Sequence, residues 1–130
     1  MQIEVFTMCD GAQTYNGKAV IMGSFNQVKT KKLPLIMQNL TLAVRIAFEK
    51  NEMGDKLFNF TIKNPDGSLL IPELRCEAKQ NVPIEKQGPI TSYDLNIVLG
   101  NIAFHQYGGY TITMTYKSKD YILKFFVLEG

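Results

Sequence analysis

Nine residues near the middle of the chain, Leu40 to Phe48, restrict the fold more than any other stretch. Leu40, Leu42, Val44, Ile46 and Phe48 are all large and apolar, with Thr41, Ala43, Arg45 and Ala47 between them. A helix competes, because Leu40, Ala43, Val44, Ala47 and Phe48 also fall at helical spacing. It would leave Leu42 and Ile46 outside the apolar stripe, so the strand fits better. Burying such side chains is worth at most ~1.5 to 3 kcal/mol each, enough to make this strand a central element.

The same period-two logic runs through the rest of the chain. Gln2 to Cys9 reads as a first strand, ended by Asp10-Gly11 and a polar loop through Tyr15-Asn16-Gly17. Asn-Gly and Asp-Gly form turns because their residues tolerate positive φ. Lys18 to Phe25 carries a second apolar run that breaks at Gly23 and continues more weakly through Val28. Lys56 to Lys63 points Phe58, Phe60 and Ile62 inward and ends in the tight reversal Asn64-Pro65-Asp66-Gly67. Ser68 to Ile71 and Glu73 to Gln80 flank Pro72 as short edge-strand candidates, since proline cannot donate to a ladder. Asn81 to Thr91 shows no period and reads as a crossing loop.

Tyr93, Leu95, Ile97 and Leu99 then alternate on odd positions, whereas Ile102 and Phe104 continue on even ones. That slip predicts a β-bulge or a break at Gly100-Asn101. Phe104-His105-Gln106-Tyr107-Gly108-Gly109-Tyr110 follows, a tyrosine just after two turn glycines at the head of the strand Tyr110 to Tyr116. The pattern predicts a tyrosine corner, built on Phe104, Gly108 and Tyr110, whose hydroxyl bonds back to upstream backbone. Lys117 to Asp120 turns the chain into Tyr121 to Leu128, where both phases are apolar. Such a strand is either covered on its second side or meets another chain. Cover within the chain is the reading adopted, because chain ends are often tied down by docking into a sheet. If a partner binds instead, it meets Ile122, Lys124, Phe126 and Leu128.

Short strands with turn signals between them predict an all-β chain, specifically an antiparallel, immunoglobulin-like β-sandwich of seven or eight strands. A closed β-barrel is the alternative. The 130 residues are read as a single domain spanning 1–130. With 45% hydrophobic and 20% charged residues, neither disorder nor a membrane partner is suggested. Net charge is +2 with basic and acidic residues interspersed, so a nucleic-acid partner is not favoured. The local excess at Lys29, Lys31 and Lys32 reads as a solvated rim. The amino terminus has no secretory pattern, which points to a cytoplasmic protein whose Cys9 and Cys76 are buried thiols rather than a disulfide.

Chemistry-bearing residues are sparse. His105 is the one histidine, and a hydrolase or carbohydrate site would have to use it in a loop-end cleft, with Asp10 or Asp94. No nucleophile-elbow or phosphate-cradling motif is present. Cys9, Cys76 and His105 lack metal-ligand spacing, and Asp10, Asp55, Asp66 and Asp120 fall one per turn, so neither metal nor cofactor is expected. Tyr107, Tyr116 and Tyr121 with Lys117 and Lys119 form the one aromatic-basic grouping, better read as packing than as a single-strand platform. Arg45 sits opposite the large residues of its strand. If that face is covered, Arg45 needs a carboxylate partner, because an unpaired buried charge is very costly.

Taken together, these residues resemble a bacterial family of single-domain proteins known as a domain of unknown function. The likeness runs end to end: Cys9-Asp10-Gly11-Ala12, the Lys18 run into Gly23-Ser24-Phe25, Leu33-Pro34, Arg45, Pro65-Asp66-Gly67, the Phe104, Gly108, Tyr110 corner and the final apolar strand. Gly11 departs from the pattern, where an alanine-like residue is expected. The resemblance implies a β-sandwich and carries no functional residue across. The expected role is a non-enzymatic interaction or structural module with a protein partner or a second copy of itself.

Overall fold

The computed structural model describes residues 1–80 and 86–130, so much of the expected loop at Asn81 to Thr91 lies outside the described residues. The chain is nearly all β, in three sheets, one of them curled as a half-barrel. Ten strands are described: β1 Gln2–Cys9, β2 Gly11–Tyr15, β3 Lys18–Met22, β4 Gln27–Thr30, β5 Leu35–Glu49, β6 Lys56–Lys63, β7 Leu74–Ala78, β8 Ile90–Phe104, β9 Gly108–Tyr116 and β10 Lys119–Glu129. This exceeds the seven or eight strands expected. The surplus comes from residues 27–30, read as the weaker continuation of the second run, which form β4 in another sheet, and from residues 11–15, read as a polar loop, which form β2 and pair with β3 across the Asn16-Gly17 turn. Both turn residues have positive φ, as a two-residue hairpin requires.

The sheets are ordered β1-β5-β8, β4-β10-β9-β6-β7 and β2-β3. Neither larger sheet closes on itself among the described residues, so the closed barrel is not formed. The arrangement is not purely antiparallel either, because β4 runs parallel to β10, with Val28 opposite Val127. Ser68 to Ile71 is not a strand; Leu69 makes only an isolated bridge to Lys63.

Alternation places the core. On β5 the even residues Leu40 to Phe48 are buried, and they meet Phe58, Phe60 and Ile62 of β6 and Tyr110, Ile112 and Met114 of β9 in one cluster. Aromatic contacts span the gap between the larger sheets: Phe48 meets Tyr116 at 5.7 Å between centroids, and Phe104 meets Phe125 at 5.3 Å. The phase slip on β8 is real. Gly100, at φ 81°, opposes Leu40 while Val98 opposes Thr41, which leaves Leu99 as the extra residue. The bulge turns Ile102 and Phe104 back inward, where both are buried.

At the corner between β8 and β9, the Tyr110 hydroxyl donates to the Gln106 carbonyl at 2.8 Å and accepts from the Gln106 N–H at 3.3 Å. Gly108 has φ 131°, a region closed to most side chains, and a Cβ there would sit 3.1 Å from Pro65. Gln106 Nε2 also donates to Asp66 at 3.1 Å, and the Tyr107 hydroxyl to the Thr30 carbonyl at 3.1 Å. The corner is thereby tied to the β6–β7 turn and to the end of β4.

Candidate functional site

Two outer faces and one end of the molecule hold the candidate residues. On the β1-β5-β8 sheet the outer face is roofed by the β2–β3 hairpin. Thr41, Ala43 and Ala47 are buried beneath or beside this roof, and Arg45 retains 21% side-chain exposure. Arg45 does have carboxylate partners. Its Nη1 donates to both Asp94 oxygens at 3.1 Å, its Nε to Glu4 at 3.2 Å and its Nη2 to the hairpin carbonyl of Gly17 at 3.0 Å. The register explains the set, since Asp94 lies directly opposite Arg45 on β8 and Glu4 is carried on the neighbouring strand β1. Ser92 donates to Glu4 at 2.7 Å, and Thr14 of the hairpin to Asp94 at 2.7 Å. Every charge in this network is paired, which suits a clamp holding the roof to the sheet.

No described residues roof the outer face of the five-stranded sheet. Ile122 is 62% and Phe126 40% exposed, which corrects the expectation that the chain covers the second side of β10. Lys124 is exposed and Leu128 half-buried on the same face. The register lays out rows across the sheet: Ile122–Thr113–Thr61, Lys124–Thr111–Lys63 and Phe126–Gly109. Lys29 stands opposite Leu128 on β4. The Phe126 ring lies over Gly109, where an added Cβ would come within 3.1 Å of it. The result is a surface of apolar anchors and threonines with Lys124 between Ile122 and Phe126 and with Lys29 and Lys63 beside them.

His105 is exposed at the corner, beside a cavity of about 420 Å³ that also touches Asn64, Asn101 and Gln106. Among the described residues, the lining supplies no carboxylate, hydroxyl or thiol. Asp94 lies ten residues from Phe104 on β8, about 30 Å away at strand rise. Asp10 follows Cys9, which pairs with Thr41, about 20 Å along β5 from the Leu35–Phe104 end. The pairing of His105 with Asp10 or Asp94 is therefore not made. Asp10 instead packs against Gly23, where a Cβ would run into its carboxylate.

The remaining candidates are spent on structure. Tyr116 is buried and stacked on Phe58 at 5.0 Å, Tyr107 is bonded to Thr30, and Tyr121 is half-buried, so they offer no common stacking platform. Cys9 is buried and Cys76, expected to be buried, is half-buried; both are free thiols whose pKa burial pushes up, which weakens them as nucleophiles. No group of three or more histidine, cysteine, aspartate or glutamate residues is placed to hold a metal among the described residues. One group was not singled out in the sequence: Lys56 is 6% exposed, donates to the Glu52 carbonyl and lies 4.5 Å from the Phe48 ring centroid. Burial, with Lys117 nearby, lowers its pKa.

A family of unknown function, DUF6941, matches residues 4–119. The chain belongs to DUF6941. The match takes in the roofed sheet, its Arg45 network, the corner and all of β9, and ends where β10 begins. No curated protein and no solved structure matches the chain. Among the described residues of this DUF6941 protein, no helix is long and apolar enough to cross a membrane.

Proposed function

We propose that this DUF6941 chain is a non-enzymatic interaction module that binds an acidic, apolar-anchored protein surface through the outer face of β10. The exposed pair Ile122 and Phe126, on a sheet face that none of the described residues roofs, carries this reading. Lys124 stands between the two, and Lys29 and Lys63 border them. A partner with apolar centres and an acidic rim complements Ile122 and Phe126 with their neighbouring lysines. The facing sheets and the Tyr110–Gln106 bond support a sandwich of immunoglobulin-like kind folded as one domain. The two free thiols fit a reducing compartment such as the cytoplasm.

Titration with a synthetic peptide of alternating leucine and glutamate tests the reading. Saturable binding is expected, weakened by salt and lost in Phe126→Glu and Lys124→Glu. Binding indifferent to both substitutions defeats the assignment. Self-association abolished by Phe126→Glu in light scattering would replace the acidic partner with a second copy.

A further inference from the structure

The cavity beside His105 lies between the β6–β7 connection, which supplies Asn64, Leu70 and Ile71, and the end of β8 with the corner that follows it. At about 420 Å³ it falls within the usual size range of ligand sites. Residues 81–85 are tethered too far away to border it. Gln80 and Gln87, on either side of them, both line the cavity at residues 91–95, and Asn101 is six residues beyond Leu95, about 20 Å at strand rise. Seven links that leave and return extend no more than about 13 Å.

The walls carry hydrogen-bonding groups with one end already fixed. Asn64 Nδ2 donates to the Ser68 hydroxyl at 3.0 Å, and Gln106 Nε2 to Asp66 at 3.1 Å. Each carboxamide is thereby oriented, while Asn64 Oδ1 and Gln106 Oε1 have no donor among the described residues. The opposite wall is main chain. The cavity touches Asn101, Ile102 and Ala103 in succession, and because successive side chains point to opposite faces it views the strand along its edge. Among the described residues β8 pairs only with β5, with Ile102 opposite Met37 and Ala103 opposite Ile36. In an antiparallel pair the N–H and C=O of alternate residues point away from the partner. One of Ile102 and Ala103 therefore offers a donor and an acceptor side by side.

This pattern narrows the occupant. An N–H beside a C=O complements a planar ring edge on which an acceptor and a donor are adjacent, as N1 and the 6-amino group are in adenine. Two oriented carbonyl oxygens add a preference for an amino group over an oxo group. Leu70 and Ile71, both half-buried, give apolar contact of the kind that covers a bound base. Apart from His105, no lining residue can carry a charge, so little there answers a phosphate. We propose that this cavity binds an uncharged 6-aminopurine, as free base or nucleoside, read by the β8 edge at residues 102–103 and by the carboxamide oxygens of Asn64 and Gln106.

Titration of the full chain with adenosine, followed by calorimetry and amide chemical shifts, tests this. Saturable binding is expected, with shifts concentrated at Asn64, Leu70, Ile71 and residues 101–106. Inosine exchanges the donor and acceptor on the same ring edge and should bind at least roughly tenfold more weakly, the cost of an unmatched polar pair. That comparison needs no variant. Gln106→Ala should weaken adenosine binding roughly three- to tenfold, the worth of one hydrogen bond. Phe126→Glu should leave it unchanged, which separates this cavity from the β10 face. Absence of saturable adenosine binding, equal affinity for inosine, or shifts confined elsewhere overturns the proposal, and tighter binding of adenosine 5′-monophosphate than of adenosine overturns the choice of an uncharged ligand.

Discussion

The two large sheets share one core but treat their second faces in opposite ways. On the β1-β5-β8 sheet, the hairpin β2–β3 folds over, and Arg45 beneath it is bonded to two carboxylates and a carbonyl. On the five-stranded sheet, Ile122 and Phe126 stand in solvent beside Lys63 and Lys124. Where the chain covers a face, its polar groups find their partners internally. Where it does not, apolar anchors and charge remain on offer. Even the first sheet obeys this at its margin, since Val98 is 68% and Ile36 62% exposed on its outward side.

Removing the clamp gives the largest contrast. Arg45→Ala leaves Asp94 and Glu4 without their cation, and the expected loss is about 2 to 3 kcal/mol, discounted for partial exposure. Thermal unfolding should show a fall of roughly 10 °C at this chain size. Adding Asp94→Asn should restore part of it; a melt within about 2 °C of the parent, by the same scaling, would mean the roof holds without the clamp. Tyr110→Phe comes next, because it strips the bond that fixes the corner joining the two sheets. A loss of about 1 to 2 kcal/mol is expected in urea unfolding, since Gln106 is left short of a partner. An unchanged midpoint would show that ring packing alone holds the corner.

Phe126→Glu should matter far less to folding, within about 0.5 kcal/mol, as at ordinary surface positions. Cooperative unfolding at lower denaturant would place that face in the core and erase the contrast between the sheets. The smallest effect concerns acid. Asp66, which accepts from the Ser68 hydroxyl and N–H and from Gln106, has its pKa lowered below 3.8, the Ser68 hydroxyl first among the causes. A carboxyl whose folded pKa lies below its unfolded one adds stability that is complete above the unfolded value and lost as pH falls through the folded one. Melts from about pH 6 to about pH 2 should therefore decline less in Asp66→Asn than in the parent. Equal slopes would remove Asp66 from the account.

What could be read from the sequence was what repeats within one strand. β1 and β6 have the ends their alternation implied, β5 and β9 contain the expected runs, and the bulge lies where the apolar phase on β8 slipped. β2 escaped because Gly11 to Tyr15 is polar and lies on the surface, so no apolar period could reveal it. The useful signal was Asn16-Gly17, which as a two-residue hairpin turn implies a strand on each side. The parallel pairing of β4 with β10 has no local signature at all. The need for an Arg45 partner could be argued from burial, yet the identity of Asp94 and Glu4 depended on register between distant strands. The double apolar phase of β10 was visible, but whether this chain or another covers it is decided by three-dimensional layout.

The parallel β4–β10 ladder has a consequence for synthesis. Four residues near the start of the sequence have, as their one ladder, a strand near its end, and β10 is also the link between β4 and β9. During translation the early sheet β1-β5-β8 can assemble while β4 still waits. The five-stranded sheet cannot be completed until β10 leaves the ribosome, and long-range pairing of this kind is slow. Until then β4 and one edge of β9 are open to other chains. A nascent chain stalled before β10 should accordingly engage chaperones or aggregate, whereas emergence of β10 should end that exposure.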